Sequence, residues 1–220
     1  MKKNKLALFD LDDTLFDGDT EGEWVKFMYQ NDLIKDSNFS TKMENFEDNY
    51  RQGKLDVDKY SEFLLSPIIG ISLEELENSI EIFSSDVVKR LTDNLTKDLL
   101  RKHKEDIKIL TSGSLSFLVN NIALKLGIEI SFGTDPEYLD GLFTGKVKGC
   151  PNFSEEKVRR VKFWMDSEQF DEIFSYSDSI HDLPLLEFSD FPTAISPDRK
   201  LRVIAQARNW PIYDRRDSYS

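Results

Sequence analysis

The sequence predicts an α/β protein with a doubly wound parallel sheet and a helical insertion. Short apolar runs alternate with amphipathic helical patterns at the start of the chain and again after about residue 90. The stretch between them carries helical periodicity and no strand pattern. We therefore expect an α/β core formed by residues 1–16 and 90–220, with a helical cap domain at 17–89 inserted after the first strand.

The first strand is predicted by the apolar run from Leu6 to Phe9, which ends in Asp10, Asp12 and Asp13. A short apolar run bounded by polar residues is typical of a buried strand in a parallel sheet. Ligands bind at the carboxyl ends of such strands, and two nearby carboxylates can share a divalent cation. An isolated pair of this kind is more often only an acidic turn, so its meaning depends on the rest of the chain.

The insertion is predicted to contain four amphipathic helices. Thr20 and Glu23 form a capping box that starts the first of them, and Ser72 and Glu75 form another that starts the last. Apolar residues recur at helical spacing after both boxes and in the two segments between them. We expect most of the insertion's aromatic residues to form its own core.

The remainder of the chain alternates between strands and helices. The apolar runs predict four strands and a final edge strand, at residues 107–110, 128–132, 173–176, 191–195 and 210–213. Glycines and flanking apolar residues predict a β-hairpin within 135–149. Alternation of this kind implies right-handed crossovers and a parallel sheet.

Two further strands end in polar clusters. Thr111–Ser114 follows the second strand and Asp178–Asp182 follows a later one, while Lys157 lies early in the helix before that later strand. Alone, each cluster has an ordinary interpretation as a turn, a cap or a solvated charge. Because the carboxyl ends of parallel strands share one edge, we expect these groups to meet Asp10.

The composition excludes several classes of protein. A net charge of −12 and a pI near 4.7 disfavour nucleic acid and anionic membranes as partners. No apolar stretch approaches 18 residues, and a single cysteine, Cys150, rules out an internal disulfide framework. We expect a cytoplasmic protein without membrane or nucleic-acid partners, whose oligomeric state the sequence leaves open.

Four motifs resemble those of the haloacid dehalogenase (HAD) superfamily of phosphohydrolases. They are Phe9–Leu15, the strand ending in Thr111, Lys157 within its helix, and Tyr176–Leu186. The chain is similar to subfamily IB, which includes phosphoserine phosphatases with a helical cap inserted after the first motif. The resemblance implies a HAD-like, Rossmann-type core and Mg²⁺-dependent hydrolysis of a small-molecule phosphate monoester.

The resemblance also implies roles for the acidic residues. Asp10 would be the nucleophile that forms an aspartyl-phosphate, and Asp12 the general acid and base. The implied Mg²⁺ ligands are the Asp10 carboxylate, the Asp12 backbone carbonyl and Asp178. Asp182 would support the metal waters and the lysine.

The phosphate would be held by Thr111, Ser112, Gly113 and Lys157, with Thr111 and Lys157 also counted as catalytic. His181 stands where the family usually has asparagine. Two interpretations of His181 stay open, a hydrogen bond like that of the amide or a functional titration near neutral pH.

Substrate recognition is predicted on the cap side, by Asp19, Phe16, Trp24 and Arg51. Asp19 lies nine residues after Asp10, where phosphoserine phosphatases carry an acid for the substrate amino group; it is equally interpretable as a helix cap. No arginine follows the Gly-Lys-Leu-Asp segment at 53–56, which counts against phosphoserine. Histidinol phosphate, with an amine and no carboxylate, fits slightly better.

Two other classes of protein share parts of this pattern. A phospho-accepting signalling module also uses acids, a hydroxyl and a lysine, but its acceptor aspartate follows a later strand and it has no long helical insertion. A silent binding protein on the same fold needs none of the catalytic groups, whereas Asp10, Asp12, Thr111, Lys157 and Asp178 are all present.

Overall fold

The computed structural model describes residues 4–215, which contain a six-stranded parallel sheet. Its strands are β1 Lys5–Phe9, β2 Ile107–Leu115, β3 Ile130–Thr134, β6 Glu172–Ser177, β7 Phe191–Ile195 and β8 Ile212–Tyr213. They lie side by side in the order β3-β2-β1-β6-β7-β8, with every neighbouring pair parallel. The predicted fold class is confirmed.

Both faces of the sheet are covered by apolar side chains. On β1, Leu6 and Leu8 contribute to one hydrophobic cluster and Ala7 and Phe9 to another, because successive side chains of a strand point to opposite faces. All four are fully buried. This explains why β1 is uniformly apolar rather than alternating.

Nine α-helices lie within the described residues. They are α1 Thr20–Gln30, α2 Phe39–Arg51, α3 Val57–Leu65, α4 Leu73–Leu91, α5 Asn94–Lys102, α6 Ser116–Lys125, α7 Glu155–Met165, α8 Leu183–Phe188 and α9 Arg199–Ala207. Side chains cap several of their first turns. The box of Ser72 and Glu75 at α4 is confirmed, whereas the box predicted at α1 is wrong, because α1 is capped by Asp19 and Thr20 is already its first helical residue. None of the described helices is long and apolar enough to cross a membrane.

The cap helices share a hydrophobic cluster with one face of the sheet. Trp24 of α1 packs edge-on against Phe83 of α4 and Phe117 of α6, at ring-centroid distances of 5.0 and 6.1 Å. Helix α4 continues to Leu91 and so crosses the predicted domain boundary at 89/90. The division into domains stays a prediction.

The predicted hairpin is present as β4 Pro136–Leu139 and β5 Leu142–Val147. It is joined to the cap by backbone hydrogen bonds. The Phe143 N–H donates to the Ile71 carbonyl and the Gly70 N–H to the Phe143 carbonyl, both at 2.9 Å. The hairpin thus supports the cap from the core side.

Candidate active site

A cavity of about 480 Å³ lies between the carboxyl edge of the sheet and the cap. Its core wall includes Asp10, Asp12, Ser112, Gly113, Lys157, Asp178 and Asp182. Its cap wall includes Asp19, Glu21, Met43, Tyr50, Arg51 and Tyr60. The groups predicted to meet at the sheet edge are therefore brought together, with the exception of Thr111.

The loop after β1 presents Asp10 and Asp12 to the cavity. Asp12 has extended backbone angles and Asp13 has φ +52°, so the chain turns sharply instead of forming a regular helix. The Phe16 N–H closes the turn on the Leu11 carbonyl at 2.9 Å. Aspartate is among the residues that tolerate this left-handed conformation, which gives Asp13 a backbone role.

Lys157 joins two buried carboxylates at the base of the cavity. Its Nζ donates to Asp10 Oδ1 at 2.7 Å and to Asp182 Oδ2 at 2.8 Å. Ser177 donates a second hydrogen bond to Asp182 Oδ2, at 2.8 Å. Because Lys157 and Asp182 are almost fully buried, this network fixes the orientation of Asp10.

The electrostatics of the core wall reflect crowded negative charge. Burial raises the pKa of Asp10 to about 7; the charges of Asp182 and Asp12 also raise it, while Lys157 opposes them. Burial, and then repulsion from Asp10, raises the pKa of Asp178. Burial acts to lower the pKa of Lys157, but Asp10 and Asp182 together raise it, so the lysine stays charged.

This donor set fits the implied Mg²⁺. Asp10 and Asp178 follow neighbouring strands and line one cavity, and the repulsion that raises their pKa values is what a divalent cation relieves. Among residues 4–215 no group of three or more His, Cys, Asp and Glu side chains is arranged as a protein-only metal site. Mg²⁺ does not require one, since it commonly takes one or two carboxylates with waters and substrate oxygens.

Asp12 is held from both the cap and the core. Its Oδ1 accepts the backbone N–H of Thr20, at the start of α1, at 2.6 Å. Its Oδ2 accepts the hydroxyls of Ser114 and Ser112, at 3.0 and 3.3 Å. Asp12 is therefore a hydrogen-bond acceptor at the point where cap and core meet.

The structure differs from the prediction at Thr111. The strand predicted to end at Leu110 continues through Leu115, so Thr111 lies inside β2. Its side chain is fully buried, and its Oγ1 accepts a hydrogen bond from Asn152 at 3.0 Å. Because neighbouring strand residues face opposite ways, Ser112 takes the place expected for Thr111 at the cavity.

Two residues predicted on the substrate side also lie away from the cavity. Phe16 and Trp24 are almost fully buried in the hydrophobic cluster that cap and core share, and neither lines the cavity. Both were predicted to lie near the substrate. Packing against the sheet face and α4 turns them inward instead.

The other two residues predicted on the substrate side, Asp19 and Arg51, line the cavity. Asp19 caps α1 by accepting the N–H groups of Glu21 and Gly22, so the two interpretations of this residue are compatible. Desolvation, and then the charge of Asp12, raises the pKa of Asp19 to about 7, although the residue as a whole remains accessible. Arg51 pairs with Glu47 and Asp48 at 3.2 and 2.9 Å.

The sequence reasoning missed an acid on the cap wall. Glu21 lines the cavity, and burial followed by the charge of Asp19 raises its pKa to about 8, while the hydroxyls of Tyr60 and Ser114 oppose the shift. Its position two residues after Asp19, inside a capping sequence, marked it only as a favourable helix-start acid. Tyr60 was among the aromatic residues of the insertion, most of which were predicted to form its core, because helical spacing alone does not distinguish a core face from a cavity face.

His181 sits between aromatic rings from the cap and the core. Its ring centroid is 5.3 Å from that of Tyr50 on α2 and 4.8 Å from that of Phe153. The Tyr50 hydroxyl also lies 3.1 Å from Ser179 Oγ. Burial lowers the pKa of His181, although Asp182 opposes this shift. The role of His181 stays a prediction.

The family can now be stated. The chain matches the model of the haloacid dehalogenase-like hydrolases over residues 7–187, and it belongs to that family. This match confirms the family predicted from the four motifs.

The chain is similar to two proteins named as phosphatases and to a solved structure of unknown function. The chain is 29% identical over 215 residues to the histidinol-phosphatase of Neisseria meningitidis serogroup C, covering 94% of this chain and 97% of that protein. It is 28% identical to phosphoserine phosphatase SerB1 of Mycobacterium tuberculosis, covering 94% and 70%. A crystal structure of a Bordetella pertussis Tohama I protein of unknown function superposes with a TM-score of 0.87 at 34% identity, covering 97% and 99%. The predicted enzyme class, a HAD-family phosphatase, is confirmed by these comparisons.

Proposed function

We propose that the protein hydrolyses a small-molecule phosphate monoester with Mg²⁺, through an aspartyl-phosphate on Asp10. The observation that carries this proposal is the network at the base of the cavity, where Lys157 holds Asp10 and Asp182 at 2.7 and 2.8 Å. A buried, oriented carboxylate beside a fixed positive charge suits attack on a phosphoryl group.

The reaction divides into two displacements at phosphorus. In the first, an Asp10 oxygen bonds to phosphorus as the ester oxygen leaves and takes a proton from Asp12. In the second, Asp12 removes a proton from water, whose oxygen bonds to phosphorus and releases Asp10 and inorganic phosphate. General acid and base catalysis of this kind is worth about 10²–10⁴-fold.

The remaining groups position the phosphate and the metal. Asp10, Asp178 and the Asp12 carbonyl would hold Mg²⁺, which when bound offsets the repulsion between carboxylates and phosphate. Lys157 supplies the positive charge from the protein, and Ser112 with Gly113 lines the phosphate end of the cavity. Thr14 donates to Asp178 Oδ1 at 3.2 Å and so orients that carboxylate.

We further propose an amino-bearing substrate without a carboxylate, with histidinol phosphate preferred over phosphoserine. Asp19 and Glu21 place two acids on the cap wall, which suits a cationic group. Arg51, the cap-wall arginine, already pairs with Glu47 and Asp48, so a substrate carboxylate would have to compete with both. The resemblance to the Neisseria histidinol-phosphatase supports the same preference.

A substrate panel with and without Mg²⁺ tests both parts. We expect Mg²⁺-dependent release of phosphate, with kcat/KM highest for histidinol phosphate and lower for phosphoserine. A preference for phosphoserine would contradict the substrate proposal and leave the reaction intact. Absence of turnover on every ester, combined with a stable phosphoprotein, would instead favour the signalling alternative; absence of both would favour a silent binding protein.

A further inference from the structure

Asn152 lies in the loop before α7 and is completely buried behind the phosphate end of the cavity. Its Nδ2 group has three acceptors within hydrogen-bond distance, the Ser112 carbonyl at 2.9 Å, Thr111 Oγ1 at 3.0 Å and the Phe132 carbonyl at 3.1 Å, which share its two N–H donors. Its Oδ1 atom has no hydrogen-bond partner in the described part of the chain. The contribution of this side chain therefore comes from Nδ2, which ties the end of β2 to β3.

Thr134, the last residue of β3, makes a second connection of the same kind. Its hydroxyl donates to the Gly113 carbonyl at 2.6 Å. The backbone N–H of Asn152 donates to the same hydroxyl oxygen at 3.1 Å. Asn152 and Thr134 thus bind the carbonyl groups of two consecutive residues, Ser112 and Gly113, and neither Asn152 nor Thr134 lines the cavity.

Holding a carbonyl also fixes the N–H that follows it. In a trans peptide the carbonyl and the next N–H point in opposite directions, and no cis peptide bond occurs among the described residues. The bond from Asn152 to the Ser112 carbonyl therefore directs the Gly113 N–H toward the cavity that Ser112 and Gly113 line. The next N–H, that of Ser114, donates to Ser112 Oγ at 3.1 Å.

We propose that Asn152 and Thr134 are positioning residues: Asn152 aims the Gly113 N–H at a phosphate oxygen of the substrate, and Thr134 holds Asn152 in place by accepting its backbone N–H. The inference rests on the proposed phosphatase function. Asn152 also precedes Lys157 by only five residues, so the same short segment fixes two groups that face the phosphate. Oriented backbone donors of this type are effective because they need no rearrangement when charge develops.

The test compares Asn152→Ala and Thr134→Val with the wild type, with Thr134→Ser as the conservative variant that keeps the hydroxyl. Binding of inorganic phosphate is measured by titration calorimetry with Mg²⁺ present, alongside kcat and KM. We expect about tenfold weaker phosphate binding and a lower kcat for Asn152→Ala and Thr134→Val, and near-wild-type values for Thr134→Ser. Thr144→Val is the matched control, because its hydroxyl bonds to Glu137 on the hairpin.

Phosphate affinities within twofold of the wild type in both folded variants would overturn the proposal, as would an equal loss in Thr144→Val. If Asn152→Ala does not fold, the contrast between Thr134→Val and Thr134→Ser decides the question. A wild type that binds phosphate but turns over no ester would contradict the proposed function and leave this inference to be judged by the binding data.

Discussion

The two walls of the cavity differ in how their charged groups are held. On the core wall, Asp10, Lys157 and Asp182 form a closed network of buried groups with distances of 2.7 to 2.8 Å. On the cap wall, Arg51 is exposed, and its ion pairs within residues 4–215 are with neighbours on its own helix. In the proposed function, the core wall serves the reaction at phosphorus and the cap wall offers charges that distinguish leaving groups.

This comparison predicts that the largest effect follows removal of the nucleophile. Asp10→Asn keeps the shape of the side chain but removes the carboxylate that would bond to phosphorus, so we expect kcat to fall by at least ~10³-fold for every ester. Initial rates with a chromogenic phosphate ester and with histidinol phosphate measure it. A folded Asp10→Asn protein with wild-type turnover would contradict the nucleophile assignment.

The second largest effect is expected on the stability of the protein. Lys157→Met leaves Asp10 and Asp182 buried without their cation, and breaking a buried ion pair in this way costs about 3–5 kcal/mol. Urea unfolding at pH 7.5 without Mg²⁺ measures the loss. Lys162→Met, on the exposed face of the same helix, is the matched control and should change stability by less than about 0.5 kcal/mol.

A substitution on the cap wall should have a smaller effect, confined to substrates that carry an amine. At pH 9, where most of the Glu21 carboxyl is ionised, Glu21→Gln removes a charge that would face the substrate ammonium group. Charged hydrogen bonds are worth about 1.5–3 kcal/mol, so we expect KM for histidinol phosphate to rise about tenfold at that pH. KM for an ester without an amine should stay within about twofold, since a discriminating cap group stabilises only its own ligand. An equal rise for both esters would show that Glu21 supports the fold of the cap and not recognition of the amine.

The smallest expected effect is a change of KM with pH. The raised pKa of Glu21, about 8, means that its carboxyl is mostly neutral below pH 8 and becomes charged as the pH rises through that value. Attraction for an ammonium group therefore increases with pH. We expect the KM for phosphoethanolamine, relative to that for an amine-free alkyl phosphate, to fall a few-fold between pH 7 and 9. The fall should be smaller in Glu21→Gln, because Asp19, whose pKa is also raised, still becomes charged over this range.

The sequence predicted the core wall better than the cap wall for a physical reason. Asp10, Lys157 and Asp182 were placed together because parallel strands bring their carboxyl ends to one edge. The error at Thr111 arose because the strand was predicted to end at Leu110, whereas β2 continues five residues further. Thr111 is therefore a buried strand residue and its neighbour Ser112 lines the cavity. The polar residues 111–114 hide this continuation, because a strand end is read from the end of an apolar run.

Cap residues depend on how helices pack against one another. Phe16 and Trp24 were placed near the substrate and are in the core, whereas Tyr60 was assigned to the core and lines the cavity. Helical periodicity identifies an apolar face but not which neighbour that face meets. Glu21 was missed for the same reason, since its partners come from α3 and β2.

The backbone bonds between Ile71 and Phe143 have a consequence for exchanging modules between relatives. The cap is continuous in sequence from α1 to α4, but its support includes a hairpin some 50 residues beyond the end of α4. A chimaera that replaced only the inserted helices would pair a foreign cap with the resident β5. The transferable unit therefore consists of two separate segments, and a new substrate range would be grafted most cleanly with both.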